Sequence, residues 1–202
     1  MQALLKFSNL VDAINRFIGK YVIWLILAST VISALNAVVR KAFNFSSNSF
    51  LEVQWYLFAA TFMLCAAFTL LNGEHVKIDV LYSRWNKRIQ TWIDVFGFVF
   101  FLMPFCAAII WFSVPFFLKA YYSGEMSSNS GGLIRWPVYA MMPLGFSLLL
   151  LQGLSELIKR LAFLMGLIDD PTEKVVAKTA EEELAEAIQK LAEEKAAKAL
   201  AA

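Results

Sequence analysis

The sequence predicts an all-α membrane protein: four transmembrane helices, an N-terminal amphipathic helix before them, and an interfacial arm between spans two and three. Three observations carry this prediction. Apolar residues make up 59% of the chain and its mean hydropathy is +0.61, against roughly 45–50% apolar residues in ordinary soluble domains. The excess is gathered into four long runs, each near or beyond the roughly 20 residues that cross a bilayer. The connections between runs are short and polar, so within these 202 residues no separate catalytic domain is expected.

Residues 1–20 place Leu4, Phe7, Leu10, Val11, Ile14, Phe17 and Ile18 at steps of three and four, the period of an amphipathic helix. Lys6, Asp12, Asn15, Arg16 and Lys20 fall elsewhere on the turn. The segment reads as an interfacial helix leading into span one. A cleaved signal peptide would need an unusually long leading region containing Asp12, so the helix is expected to stay.

Span one covers about residues 21–39. Ser29, Ser33, Asn36 and Arg40 follow one another at helical steps. Polar side chains inside hydrocarbon face protein or a cavity, so this stripe is a candidate packing face. After the polar turn 41–49, span two covers about 50–71. Glu52 stands near its outer end, where it is a candidate ion-pair partner for Arg40. Ala59, Ala60, Ala66 and Ala67 permit close helix contact.

Residues 72–88 form the arm. Val76, Ile78 and Val80 alternate with Lys77 and Asp79, too briefly for a sheet. Trp85 is a candidate headgroup anchor, with Arg84, Lys87 and Arg88 toward lipid phosphates. Span three, about 89–121, is long enough to need tilt. It holds Pro104 and Pro115, expected kink positions. Asp94 is expected in its first turn, where the helix dipole favours an anion.

The connection YSGEMSSNSGGLIR reads as an exposed loop. Span four covers about 136–165, with Pro137 at its start and Pro143 inside. Glu156 and Arg160 stand four apart near its far end, the favoured order for a helix pair. Residues 166–202 are an acidic tail rich in Ala, Glu and Lys, with a capping-box spacing at Thr179 and Glu182.

Charge is distributed unevenly. Residues 1–165 carry 13 basic and 7 acidic groups, net +6, and the tail carries 5 basic and 9 acidic, net −4. The basic part suits anionic lipid headgroups, and no basic cluster interleaved with aromatics points to nucleic acid. Nine Lys and Arg flank the spans on the side of the two termini and the arm, and four on the other side. Both termini and the arm are therefore expected in the cytoplasm.

Several chemistries lack their residues. The single histidine, His75, excludes paired-histidine haem ligation and reads as an interfacial polar group. Cys65 and Cys106 lie inside apolar runs and read as small hydrophobes. No zinc motif and no P-loop occur. No ionisable residue is expected at a bilayer centre and no internal repeat is visible, unlike a complete secondary transporter. No cofactor, metal or catalytic residue is expected.

Four stretches within residues 34–161 carry a resemblance. They are NAVVRKAFN closing span one, Glu52 with Gln54-Trp55 opening span two, NGEHVKIDV in the arm, and GEMSSNSGGLIRWPVYAMMPLGF entering span four. Together they resemble the small, Q-type (DctQ-like) membrane subunit of TRAP transporters, the tripartite ATP-independent periplasmic systems. The wording around residues 125–137 is similar to the branch labelled mannitol/chloroaromatic compound transport. The tail lies outside the resemblance.

The resemblance implies a bacterial inner-membrane scaffold subunit, not an enzyme. Its partners would be a large M-type membrane subunit that carries sodium and solute by an elevator movement, and a periplasmic binding protein that delivers an organic acid or related solute. On that implication Ser29, Ser33 and Asn36 become candidate contacts to the large subunit. The loop with Glu125, Ser127, Ser128, Asn129 and Arg135 becomes a candidate docking loop for the binding protein. Two other classes remain open at this point: a membrane-anchor subunit of a redox or other membrane enzyme, and a stand-alone channel or exporter.

Overall fold

A computed structural model describes residues 2–44, 47–73 and 85–168. Helix α1 runs unbroken over Gln2–Phe43, α2 over Asn48–Leu71, α3 over Lys87–Ser123 and α4 over Trp136–Leu164. All four are long and apolar enough to cross a membrane. Among the described residues the only β pairing is one isolated bridge, Met126 to Ile134.

Helix α4 is the centre of the bundle and packs on α1, α2 and α3. Its sequence explains why. Gly145 sits so close to α2 that an added Cβ would lie 2.7 Å from Met63 Cβ and the Met63 carbonyl oxygen. Ala140, Gly153, Ser155 and Ala162 are buried along the same helix. Without a hydrophobic drive between helices in lipid, small residues that bring backbones together supply the van der Waals contact. Leu149 meets Leu70 of α2 and the fully buried Cys106 of α3, with Ala66, Leu102 and Phe146 around them. Large apolar side chains, such as Trp24, Phe62 and Trp111, point outward, where hydrocarbon would solvate them.

Helix α3 changes geometry before Pro104. Residues Phe98–Leu102 form a π turn between α-helical Lys87–Gly97 and Met103–Ser123. Proline has no N–H to give and its ring crowds the preceding turn, so a wider turn just upstream relieves both. Gly124, in the left-handed conformation, ends α3.

The structure corrects several expectations. The N-terminal amphipathic helix and span one are one continuous helix, because no proline or glycine pair interrupts residues 18–22. At the rise of 1.5 Å per residue α1 is about 63 Å long, roughly twice the bilayer core, a length that calls for strong tilt or extension beyond a membrane face. Its amphipathic face is also turned the other way. Leu4, Leu10, Ile14 and Phe17 are exposed, while Ser8, Asp12 and Asn15 are buried against α4. Asp94 is not in a first turn: α3 begins at Lys87, and Asp94 meets Arg160 instead. Residues 74–84 of the arm, with His75 and Arg84, and the tail from residue 169 lie outside the described residues. Trp85, Lys87 and Arg88 are exposed at the start of α3.

Candidate functional site

Two polar constellations hold the bundle, one at each end. At the end where α1 meets α2 and α3 meets α4, the 124–135 loop is fastened to the first turns of α2. Glu52 is 3% exposed and accepts three hydrogen bonds from this loop. The donors are the Ser127 hydroxyl, Asn129 Nδ2 at 2.8 Å and the Leu133 backbone N–H at 2.6 Å. Neighbours on α2 reinforce it. Asn48 Nδ2 donates to the Ser130 carbonyl at 3.1 Å, the Ser49 hydroxyl to Gly131, and the Tyr56 hydroxyl to Ile134 at 3.1 Å.

The loop is shaped to receive these bonds. Ser127 N–H donates to the Leu133 carbonyl and Arg135 N–H to the Glu125 carbonyl, both at 2.9 Å. Gly132 fits where any Cβ would lie 2.5 Å from Ser127 Cβ and 2.9 Å from the Asn129 carbonyl oxygen. Arg135 Nη1 donates to Glu125 Oε1 at 3.0 Å and to the Tyr139 hydroxyl at 3.4 Å, and these contacts raise the Arg135 pKa. Charge-assisted bonds are the stronger class, and here they turn a Ser/Gly-rich stretch into a defined platform.

At the other end a buried network joins α1, α3 and α4. Asp12 Oδ1 accepts from Ser155 Oγ at 2.8 Å and Gln152 Nε2 at 3.0 Å, and its Oδ2 accepts from Lys159 Nζ at 2.9 Å. Asn15 Nδ2 donates to Gln152 Oε1 at 2.7 Å, and the Ser8 and Ser155 hydroxyls lie 2.7 Å apart. Glu156 bonds both Lys159 and Arg160. Arg160 Nε donates to Asp94 at 3.0 Å, and its guanidinium lies 4.7 Å from the centre of the Phe98 ring. Apart from Asn15 Oδ1, the buried polar atoms of this network have partners. Partnering of this kind makes ionised groups tolerable inside a bundle.

The family model described as "Tripartite ATP-independent periplasmic transporters, DctQ component" matches residues 29–163, well over half of the chain. The chain belongs to this family. No curated protein and no solved structure matches it.

This DctQ-family chain is thus a multi-pass membrane component of a transporter, and its predicted site residues fall into place unevenly. Glu125, Ser127, Asn129 and Arg135 are brought together in the platform, and Ser128 is exposed on it. The expected Arg40–Glu52 ion pair is not formed. Both Glu52 oxygens are taken by the loop, and Arg40 lines a separate cavity with Ser33 and Asn36. Ser29 reaches the Gln54 carbonyl of α2 at 3.5 Å, so the stripe borders the α1–α2 seam of this same chain. The network around Asp12 and Gln152 was missed. A signal existed: Ser8, Asp12 and Asn15 lie at steps of four and three, as do Gln152, Ser155 and Lys159. Two matching polar stripes on apolar helices are what an internal contact requires.

Proposed function

We propose that this subunit is the fixed scaffold of a sodium-driven TRAP importer. It braces the large M-type subunit and presents the 124–135 platform to the periplasmic solute-binding protein, with both termini in the cytoplasm of a bacterial inner-membrane protein. One observation carries the docking part of this reading: the Glu52 carboxylate, buried at the end of an apolar helix, is spent on holding the loop in shape. A connector needs no such fastening, whereas a docking surface gains affinity from being ordered before its partner arrives. The scaffold part is supported by the internal use of charge. Lys159 pairs with Asp12 of α1 and Arg160 with Asp94 of α3, while Glu156 bonds both cations from within α4, which favours one rigid packing.

The test is uptake in liposomes containing both membrane subunits, driven by a sodium gradient, with the binding protein titrated outside. Glu52→Ala is expected to leave co-purification with the large subunit intact. It is expected to raise the binding-protein concentration needed for half-maximal uptake while leaving the maximal rate near wild type. An unchanged titration would reduce the loop to a connector. Uptake by this chain alone would replace the scaffold reading with that of a channel.

A further inference from the structure

The two parts of α3 are held differently. After the π turn, packing on α4 is close. Leu102 fills the space left by Gly153, where an added Cβ would lie 2.8 Å from Leu102 Cδ2. Cys106 is fully buried beside Leu149, and the rings of Phe105 and Phe116 meet Phe146 and Tyr139 at 5.8 and 4.5 Å. Before the π turn, Lys87–Gly97 buries Thr91 and Val95 but exposes Ile89, Trp92, Ile93 and Phe96. Arg160 ties this first part to α4: its Nε donates to Asp94 at 3.0 Å and its guanidinium lies over Phe98. On the other side is an open cavity of about 610 Å³, with Leu70 and Gly73 of α2 facing Ile93, Gly97 and Phe101 of α3. The segment is fastened on one side and has room on the other.

A joint stands between the two parts. None of the five residues of the π turn is buried, so no enclosing contacts hold that turn in one shape. Gly97 precedes it, and a Cβ there would meet nothing within 4 Å. Close approach therefore explains the glycines at 145 and 153 but not this one. A glycine inside a helix costs stability and leaves the backbone freer than any other residue would. Pro104 follows the turn and gives no N–H to the ladder. The fastening is also of a kind that can be released. Removing one partner of a buried pair is costly when it strands the other charge. Arg160 keeps Glu156 as a second partner, so the departure of Asp94 strands no cation. Asp94 and Arg160 both line the cavity, which leaves the contact open to the space into which the segment would move.

We propose that Lys87–Gly97 is a strap that pivots at Gly97 and the π turn, with Arg160 as its latch. Latched through Asp94, it stands off α2 and the cavity is open. Released, it closes on the end of α2 and brings Ile93 against Leu70, while the rest of the bundle stays in place. The inference rests on the packing of α3 and not on the docking role of the loop.

The experiment uses the full chain in lipid nanodiscs, with Cys65→Ala and Cys106→Ala as background. Spin labels on Asn72→Cys and Ile93→Cys report the width of the cavity by double electron–electron resonance. A reference pair on Phe58→Cys and Phe112→Cys, both at exposed positions, reports the bundle beyond the joint. The cavity pair is expected to show a main long distance and a minor short one, and the reference pair a single distance. Asp94→Asn is expected to raise the ratio of short to long by about tenfold or more, the worth of a charged hydrogen bond, and Asp94→Glu to restore the long distance. Gly97→Ala meets no neighbour, so it is expected to narrow the cavity-pair distribution while Tm stays unchanged or rises.

A cavity-pair distribution that Asp94→Asn leaves unchanged overturns the proposal. A shift shared by the reference pair overturns it too, because the whole bundle would then be breathing. If Asp94→Asn does not fold, Gly97→Ala decides, and a distribution as broad as wild type in that variant removes the joint.

Discussion

Asp12 ties α1 to α4. It accepts from Ser155, Gln152 and Lys159 and lies 4.0 Å from the exposed Arg16. Removing one member of a buried pair strands the other, at a cost of about 3–5 kcal/mol. Here Lys159 keeps Glu156 as a second partner, so Asp12→Ala is expected to cost about 3 kcal/mol, the low end of that range. For a chain of this size that lowers Tm by about 6–12 °C. Lys159→Met is expected to destabilise through the same contact. Because the two residues touch, their double variant is expected to lose less than the sum of the single losses. Tm measured on the four proteins of this cycle checks it: strict additivity would mean that the Asp12–Lys159 contact contributes nothing beyond its separate bonds.

At the scale of the helix, α4 is the element against which the others are measured. Its approach to α2 is set by Gly145, whose missing side chain leaves room only for Met63 and its backbone. Backbone cannot rotate aside as a side-chain tip can, so Gly145→Ala forces the helices apart. Overpacking of this kind costs about 1–3 kcal/mol. The variant is expected to fold with a lower Tm and to expose Cys106, which is fully buried beside this contact, to thiol reagents faster than wild type. An unchanged labelling rate would show that the helices yield elsewhere. The four helices were legible in the sequence because runs near or beyond 20 apolar residues admit few other structures. The central position of α4 was not, since its small residues look unremarkable until a neighbour is placed on them. The reversed face of α1 failed for a different reason. Periodicity locates a polar stripe but does not say what surrounds the helix. In water Leu4, Leu10 and Phe17 would mark the buried side, whereas beside lipid they mark the outer one. The platform was half legible. Glu52, Ser127 and Asn129 were each singled out, but their bonds cross 75 and 77 residues of chain, a distance no local pattern reports. Arg40, near in sequence, was the wrong partner for that reason.

At the scale of the whole molecule the two constellations divide the labour by end. The contacts of Ser8 and Asp12 with Ser155 and Lys159 put the start of α1 and the finish of α4 together. The contacts of Glu52 and Asn48 with the loop put the α1–α2 and α3–α4 connections together at the opposite end. Four crossings in alternating directions follow from this pairing alone. Which end is expected to face the cytoplasm is read from the sequence: nine Lys and Arg flank the spans on the side assigned to the termini, and four on the side of the platform. Positive residues are retained on the cytoplasmic side during insertion, so the platform is expected outside. Single cysteines decide this, because the chain has only Cys65 and Cys106, half-buried and buried within the bundle, as background. Ser128→Cys and Asn9→Cys both stand at exposed positions, one at each end. In intact spheroplasts a membrane-impermeant maleimide is expected to label Ser128→Cys at once and Asn9→Cys only after permeabilisation. The opposite order would invert the topology, and the platform could then meet no periplasmic protein, whatever the strength of the Glu52 clasp.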